Sequence, residues 1–113
     1  MSNEQYVAGL VDGEFGITSY DLQFGNTERA VVKRLLRILR SWDIEPKAYL
    51  QEPKYGRKKP YYILRINGKQ NILKFATKII PYIASNAKRE KLLTLAEKCR
   101  IKKQTSRIAL DTI

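Results

Sequence analysis

The spacing of apolar residues along this chain alternates between the period of a helix and the period of a strand. Apolar positions recur at helical spacing near residues 3 to 13, 28 to 42, 69 to 83 and 87 to 102. Between the first three of these segments, short stretches alternate in polarity as strands do, at residues 15 to 18, 21 to 25, 47 to 52 and 61 to 66. The sequence therefore predicts an α+β fold in the order helix, strand pair, helix, strand pair, helix, helix.

Residues that begin and end helices agree with this division. Ser2 or Asn3 can cap the first helix, and Asn26 with Thr27 precedes the second. Pro81 is expected to end or bend the third. No linker-like stretch divides the 113 residues, so we expect one domain over residues 1 to 113, with a frayed tail from about residue 104.

Positive charge exceeds negative charge by an unusual amount. Lys and Arg number 22 against 11 Asp and Glu, a formal net charge of +11. Such a surplus repels itself unless a polyanion neutralises it, and DNA or RNA is the commonest polyanionic partner. A membrane is the alternative, but no apolar run approaches the ~20 residues of a membrane span, and the start MSNEQYVAGL lacks the basic segment of a signal peptide. The composition favours a nucleic acid and no membrane.

The chain contains one cysteine, Cys99, and no histidine. Disulfides within one chain and Cys/His zinc sites are therefore excluded, as is catalysis by a Ser-His or Cys-His pair. Any metal must be a hard cation, such as Mg²⁺, held by carboxylate and carbonyl oxygens. The lone cysteine also favours a reducing, intracellular compartment.

The most specific motif lies near the start of the chain, in the segment QYVAGLVDGE over residues 5 to 14. It resembles the LAGLIDADG motif of homing endonucleases, in the variant that ends in VDGE. The predicted element order is also similar to the αββαββα fold of that family's single-motif members, in which antiparallel strand pairs form a DNA-binding saddle and helices cover the other face. The resemblance implies a site-specific endonuclease that hydrolyses both strands of DNA with a divalent cation, Mg²⁺ or Mn²⁺.

The resemblance also implies roles for residues of the motif. In the family, two motif helices pack side by side, so one motif per chain implies a homodimer, with the small residues Ala8, Gly9 and Gly13 at the contact. Glu14 corresponds to the acid that binds the cation, beside the Gly13 carbonyl, and Asp12 is a further candidate ligand. The simpler interpretation is a helix packed within one chain and ending in solvated acids. Acids are nevertheless unfavourable at the end of a helix whose dipole attracts cations.

Two residues outside the motif correspond to family positions near the active site. Lys88 follows the segment that contains Pro81, much as the family's active-site lysine does, and that lysine orients water or polarises the phosphate. Asn26 lies where the family places a polar residue that holds the water network. A solvated lysine and a helix cap are the simpler alternatives.

Polar and basic side chains are predicted to share one face of the strands. A β-ribbon in the major groove can read base edges with such side chains, and the basic loop between the last two strands would bind phosphates. The alternative is a solvated, lysine-rich sheet face, although none of these positions is acidic. The expected DNA-binding residues are Thr18, Gln23, Lys47, Tyr49, Gln51, Lys54, Arg57, Lys58, Lys59, Tyr61 and Arg65.

Two departures from the family leave other functions open. Phe15 follows the motif where the family usually has a small residue, and the first hairpin is short. A second hypothesis is therefore a non-catalytic DNA- or RNA-binding protein on the same fold, maturase-like or a regulator. A third is a basic ribosomal-type RNA-binding protein outside the family. Contact between two copies of residues 6 to 13 about a two-fold axis would favour the endonuclease.

Overall fold

A computed structural model of the chain describes residues 1–52 and 59–112, and from residue 101 onward it describes the backbone alone. The predicted element order is confirmed, and the last helix continues beyond its expected end near residue 102. The elements are α1 (Asn3–Gly13), β1 (Phe15–Ile17), β2 (Leu22–Asn26), α2 (Arg29–Ser41), β3 (Lys47–Gln51), β4 (Tyr61–Ile66), α3 (Lys69–Ile79), a 3-10 turn (Ile80–Tyr82) and α4 (Asn86–Thr112).

The four strands form one antiparallel sheet in the order β1-β2-β4-β3. The two strand pairs join at its centre, where Phe24 lies opposite Leu64 and Gln23 lies opposite Arg65. Because side chains alternate between the two faces of a strand, the buried Phe24 and Leu64 mark the core face. The opposite face, called the open face below, has no fully buried member among Gly16, Gln23, Gly25, Lys47, Tyr49, Gln51, Tyr61, Ile63 and Arg65.

The helices bury the core face of the sheet. The Phe15 ring lies 5.3 Å from the ring of Phe24 and 5.6 Å from the ring of Phe75. From α1, Val7 and Val11 are completely buried in the same cluster. Burial of a large apolar side chain contributes roughly 1.5–3 kcal/mol. One side of α1 is therefore held firmly against its own subunit, and the other side faces outward.

The starts of α1 and α2 differ in how they are capped. The Ser2 hydroxyl accepts the Gln5 N–H at 3.1 Å, and the Gln5 side chain accepts the Ser2 N–H at 3.0 Å, which is a capping box. At α2 the N-cap is Glu28, whose side chain makes no capping bond. The predicted caps Asn26 and Thr27 thus precede the N-cap, because the helix begins one residue later than expected, and Asn26 Oδ1 accepts the Glu28 N–H at 2.7 Å.

The connection between α3 and α4 brings α4 back to the motif helix. As predicted, Pro81 marks the end of α3, since the helix stops at Ile79 and Pro81 lies in the 3-10 turn. The next residues, Ala84 and Ser85, lead into α4 beside α1. Within the described part of the chain, no helix has both the length and the apolar character needed to cross a membrane.

Candidate active site

Glu14 is the C-cap residue of α1, and its side chain is exposed. Its Oε2 accepts the side-chain N–H of Asn26 at 3.1 Å, across twelve positions of sequence. No lysine or arginine among the described residues forms an ion pair with Glu14, despite the net charge of +11. The structure thus brings together two of the predicted catalytic residues and leaves Oε1 of Glu14 open to a ligand.

The donor set at the end of α1 is suited to a hard divalent cation. The last carbonyls of a helix lack partners within the helix and carry the negative end of its dipole. A carboxylate from Glu14 beside the Gly13 carbonyl offers the oxygen ligands that Mg²⁺ and Mn²⁺ prefer. No group of three or more acidic, Cys or His residues that could hold a metal occurs in the described residues.

Asp12 has a structural role in addition to the predicted one. Its Oδ2 accepts the Ala84 N–H at 3.0 Å, and its Oδ1 accepts the Ser85 N–H at 2.9 Å. These amides lie at the N-terminal end of α4, where a negative charge is favourable. Each carboxylate oxygen accepts one main-chain N–H, and Asp12 as a metal ligand stays a prediction. Through these contacts Asp12 joins α1 to α4.

Lys88 lies at the end of the motif helix, as the resemblance implied. Its ammonium group donates to the Val11 carbonyl at 2.9 Å and to the Phe15 carbonyl, and these two residues flank Glu14 in sequence. An ammonium group has three N–H bonds, so one is left after these two contacts. The positive charge of Lys88 also offsets part of the negative potential at this end of α1.

The exposed side of α1 carries two glycines that its own subunit does not require. A Cβ added at Gly9 or Gly13 would meet no atom within 4 Å, and neither residue has a positive φ. Glycine inside a helix costs roughly 0.5–1 kcal/mol relative to alanine. The two glycines leave a flat strip to which another backbone could come close. Ala8 is different, because it is completely buried in its own subunit, which corrects its prediction as an interface residue.

The predicted DNA-binding residues of the strands lie together on the open face. Gln23, Arg65 and Lys47 are in register and form one row across β2, β4 and β3. Lys59 is exposed, and its Nζ lies 3.8 Å from a carboxylate oxygen of Glu28. An exposed pair of this kind contributes little stability, so Lys59 remains able to bind phosphate. The other predicted loop residues, Lys54, Arg57 and Lys58, lie outside the described residues.

Thr18 does not offer its hydroxyl group to DNA. The hydroxyl donates to Oδ1 of Asp21 at 2.6 Å and accepts the N–H groups of Tyr20 at 3.2 Å and Asp21 at 3.0 Å. A hydroxyl has one proton and two acceptor lone pairs. These contacts use all three, so the hydroxyl stabilises the turn between β1 and β2. Thr18 as a DNA-binding residue stays a prediction, which these contacts do not favour.

Asp21 is a functional candidate that the sequence patterns did not identify. It is completely buried, and it is the one buried charged residue among those described. Nε of Arg65 lies 2.8 Å from its Oδ2, and Nε2 of Gln23 donates to the same oxygen at 3.4 Å. A signal was present in the sequence, because alternation places Asp21 on the same face as Gln23. An acid on an otherwise basic face predicts an arginine partner.

Comparisons with known proteins bear on this arrangement. Residues 3–80 match the family model of a LAGLIDADG-like domain. The homing endonuclease I-CvuI, in a crystal structure with the I-CreI target and 2 mM Mg in which the DNA is not cleaved, superposes with a TM-score of 0.59 at 15% identity over 86% of this chain and 65% of that one. I-CvuI with its target Sro1.3 and 2 mM Ca gives a TM-score of 0.59 at 16% identity, with the same coverage. No curated protein sequence matches.

The chain spans 65% of the length of the I-CvuI chains that it resembles. At these identities the likeness establishes the fold, which is the α+β homing-endonuclease fold with its antiparallel sheet. The family match is independent of that likeness and extends from α1 through α3, so it includes the motif helix and all four strands. The chain therefore belongs to the family of LAGLIDADG-like domains.

Proposed function

We propose that this protein is a site-specific DNA endonuclease that acts as a homodimer and hydrolyses double-stranded DNA with Mg²⁺ or Mn²⁺. The observation that carries the proposal is the contact between Glu14 and Asn26 at the end of a helix whose outer side is a glycine strip. Family membership supports it. The structures of I-CvuI with DNA and with Mg or Ca are consistent with the same partner and cofactor.

The proposal of a dimer rests on the number of acidic side chains that one chain offers to a cation at the end of α1. One chain supplies Glu14 alone at the end of α1, whereas two strands of DNA must be cut. Two α1 helices that pack through Gly9 and Gly13, about a two-fold axis running along them, would place both Glu14 side chains at the same end of the pair. A two-fold dimer would read a near-palindromic site, because each copy presents the same surface to one half of the duplex.

Each residue at the end of α1 has a distinct proposed task. Glu14 would hold the cation, together with the Gly13 carbonyl, and a divalent cation bound there supplies Lewis acidity toward a phosphodiester. Asn26 orients Glu14, because its donation to Oε2 leaves Oε1 for the ligand. Lys88 fixes the end of the helix, and its positive charge favours the approach of an anionic phosphate.

The open face is the proposed DNA-reading surface. Arg, Lys and Gln are the side chains that reach base edges in the major groove, and Arg65, Lys47 and Gln23 lie there in one row. Tyr49, Gln51 and Tyr61 extend the same surface. Lys59, next to the loop that carries Lys54, Arg57 and Lys58, would bind phosphates and thereby fix the position of the protein on the duplex.

The experiment incubates the full chain and a pool of randomised duplexes with Mg²⁺ or Mn²⁺, and the cut ends are sequenced. We expect a recurring, near-palindromic cut site. Glu14→Gln keeps an oxygen that can accept the Asn26 N–H, so the fold and DNA binding should persist. Cleavage should fall by more than about 100-fold, since even outer-shell partners of a metal site typically contribute 10- to 100-fold.

The matched control is Glu45→Gln, which removes an exposed acid that pairs with Arg40 rather than one at the motif. This variant should cleave as the wild type does. Cleavage that persists unchanged in Glu14→Gln would refute the role proposed for Glu14.

The second candidate is a non-catalytic DNA- or RNA-binding protein on the same fold, maturase-like or a regulator. The engagement of Asp12 and Lys88 by main-chain groups favours it, because fewer side chains are left for chemistry. Salt-sensitive binding without any cut ends in Mg²⁺ or Mn²⁺ would support this candidate and refute the endonuclease. Tighter binding of RNA than of duplex DNA would identify RNA as the partner.

A further inference from the structure

A buried carboxylate forms an ion pair with a partly exposed arginine of the open face. Asp21 has 0% of its side chain exposed, whereas Arg65 has 34% exposed, and Nε of Arg65 lies 2.8 Å from Oδ2 of Asp21. One end of the arginine head is therefore fixed from inside the fold. The rest of its side chain reaches the surface that is proposed to meet DNA.

Three side chains satisfy the Asp21 carboxylate. Thr18 donates to Oδ1 at 2.6 Å and Gln23 donates to Oδ2 at 3.4 Å, while Nε of Arg65 forms an ion pair with Oδ2 at 2.8 Å. A carboxylate withdrawn from water requires such donors, because an unpaired buried charge is strongly unfavourable. Arg65 therefore cannot swing away without leaving that charge short of a partner. The contact restrains the guanidinium group.

The restraint selects which part of the guanidinium group is available to a ligand. With the Nε side of the group paired to Asp21, the two terminal amino groups are left. Two parallel N–H donors from an arginine match O6 and N7 of guanine in the major groove, which is the commonest specific contact between a side chain and a base. An ion pair whose one task was to stabilise the core could be replaced by apolar residues with no loss of stability. Stability alone therefore does not account for the pair of Asp21 and Arg65.

We infer that Asp21 is a positioning residue that holds Arg65 for the recognition of one guanine in each half of the DNA site. The inference rests on the proposed DNA-binding function of the open face. Gln23 and Lys47 lie on either side of Arg65 in the same row, so the guanine would be read between two further polar side chains.

The test compares base preferences of variants of the full chain. Each is mixed with a randomised duplex pool, and the bound DNA is sequenced. The wild type should prefer guanine by about 10-fold or more at one position of each half-site, as expected for one good bidentate contact. Arg65→Lys keeps the positive charge but loses the planar guanidinium group. The position of the half-site at which this variant no longer prefers guanine is therefore the position that Arg65 reads. Asp21→Asn should lose most of the same preference while binding unrelated duplex at least as tightly as the wild type.

The matched control is Asp43→Asn, which makes the same change of charge at a carboxylate that is 94% exposed and contacts Lys74. It should keep the guanine preference. If Asp21→Asn keeps that preference too, the inference is overturned while the DNA-binding function stands. If the wild type selects no recurring sequence from the pool, site-specific binding itself is refuted.

A measurement on the wild-type protein covers the case in which Asp21→Asn does not fold. The Nε–H signal of Arg65 in an NMR spectrum can be assigned by its absence in Arg65→Lys. Without DNA, this proton should exchange with water about 10-fold or more slowly than that of the exposed Arg37, because the ion pair between Nε and a buried carboxylate must open first. Equal exchange rates would show that Arg65 is not held and would overturn the inference.

Discussion

Replacement of Gly9 by alanine should have opposite effects on the subunit and on its dimer. Gly9 lies inside α1 (Asn3–Gly13), and an added Cβ would meet no atom within 4 Å. Alanine is more favourable than glycine in a helix interior by roughly 0.5–1 kcal/mol. The free energy of unfolding of the isolated subunit should therefore rise by about that amount. For a domain of this length the melting temperature should rise by roughly 2–5 °C.

The same methyl group should weaken the pairing of two α1 helices. Backbones that meet at a glycine strip lie closer than a Cβ on each would permit, so the helices must separate. Symmetry places the substitution in both copies. An extra carbon forced into a packed contact costs about 1–3 kcal/mol, which corresponds to a roughly 5- to 150-fold increase in the Kd of the dimer.

Sedimentation equilibrium would give the dimer Kd, and thermal unfolding at concentrations below that Kd would give the stability of the subunit. The control is Gly16→Ala on β1, where a Cβ has room, since it would lie 4.0 Å from the Gln23 carbonyl oxygen. It should leave the dimer Kd unchanged. A Gly9→Ala dimer with the same Kd as the wild type would refute the glycine strip as the dimer contact. A Gly9→Ala subunit less stable than the wild type would refute the claim that an added Cβ at Gly9 has room.

Three further predictions follow from contacts within the subunit. Asp12→Ala should lower the free energy of unfolding by about 1–3 kcal/mol, because two main-chain N–H groups lose a charged acceptor, and chemical denaturation would measure it. Phe24→Ala should cost about 3–5 kcal/mol by the same assay, because Phe24 is completely buried. The hydrogen bond from Arg40 lowers the pKa of Glu45, so this pair stabilises the fold above the unfolded pKa of about 4.3. That contribution should disappear as the pH falls through the lower folded pKa, and Arg40→Gln should remove it from the pH profile of stability.

The alternation of apolar residues was sufficient to predict the strands but not their order. Phe24 and Leu64 are the strand neighbours of the predicted DNA-binding residues Gln23 and Arg65, so alternation places them on the other face, and both are buried. Their position opposite one another, which joins the two strand pairs into one sheet, is a contact between distant parts of the chain. Periodicity within a strand determines which face is buried and leaves the neighbouring strand unspecified.

Residues with two plausible local roles were harder to assign. Asn26 is a good helix cap by residue type, yet β2 extends to it because it pairs with Tyr62 of β4. This pairing moves the N-cap to Glu28 and directs the Asn26 amide to Glu14. Asp21 was overlooked for a related reason. Its burial depends on Arg65, more than forty residues away in the sequence printed above, and a hydropathy pattern alone does not identify a buried acid.

The different contacts of Asp12 and Glu14 follow from the geometry of the helix that carries them. Successive residues of a helix are rotated by roughly 100°, so two residues that are two positions apart point to nearly opposite sides. Asp12 accordingly faces the start of α4, and Glu14 faces Asn26. One cation cannot readily bind both Asp12 and Glu14 of one chain, so the proposed function takes the second carboxylate of a shared site from another copy. Asp12→Ala should therefore reduce the stability of the fold without weakening Mg²⁺ binding. Glu14→Gln should weaken Mg²⁺ binding without reducing the stability of the fold. Equal loss of Mg²⁺ affinity in both variants, measured by calorimetry, would contradict this division.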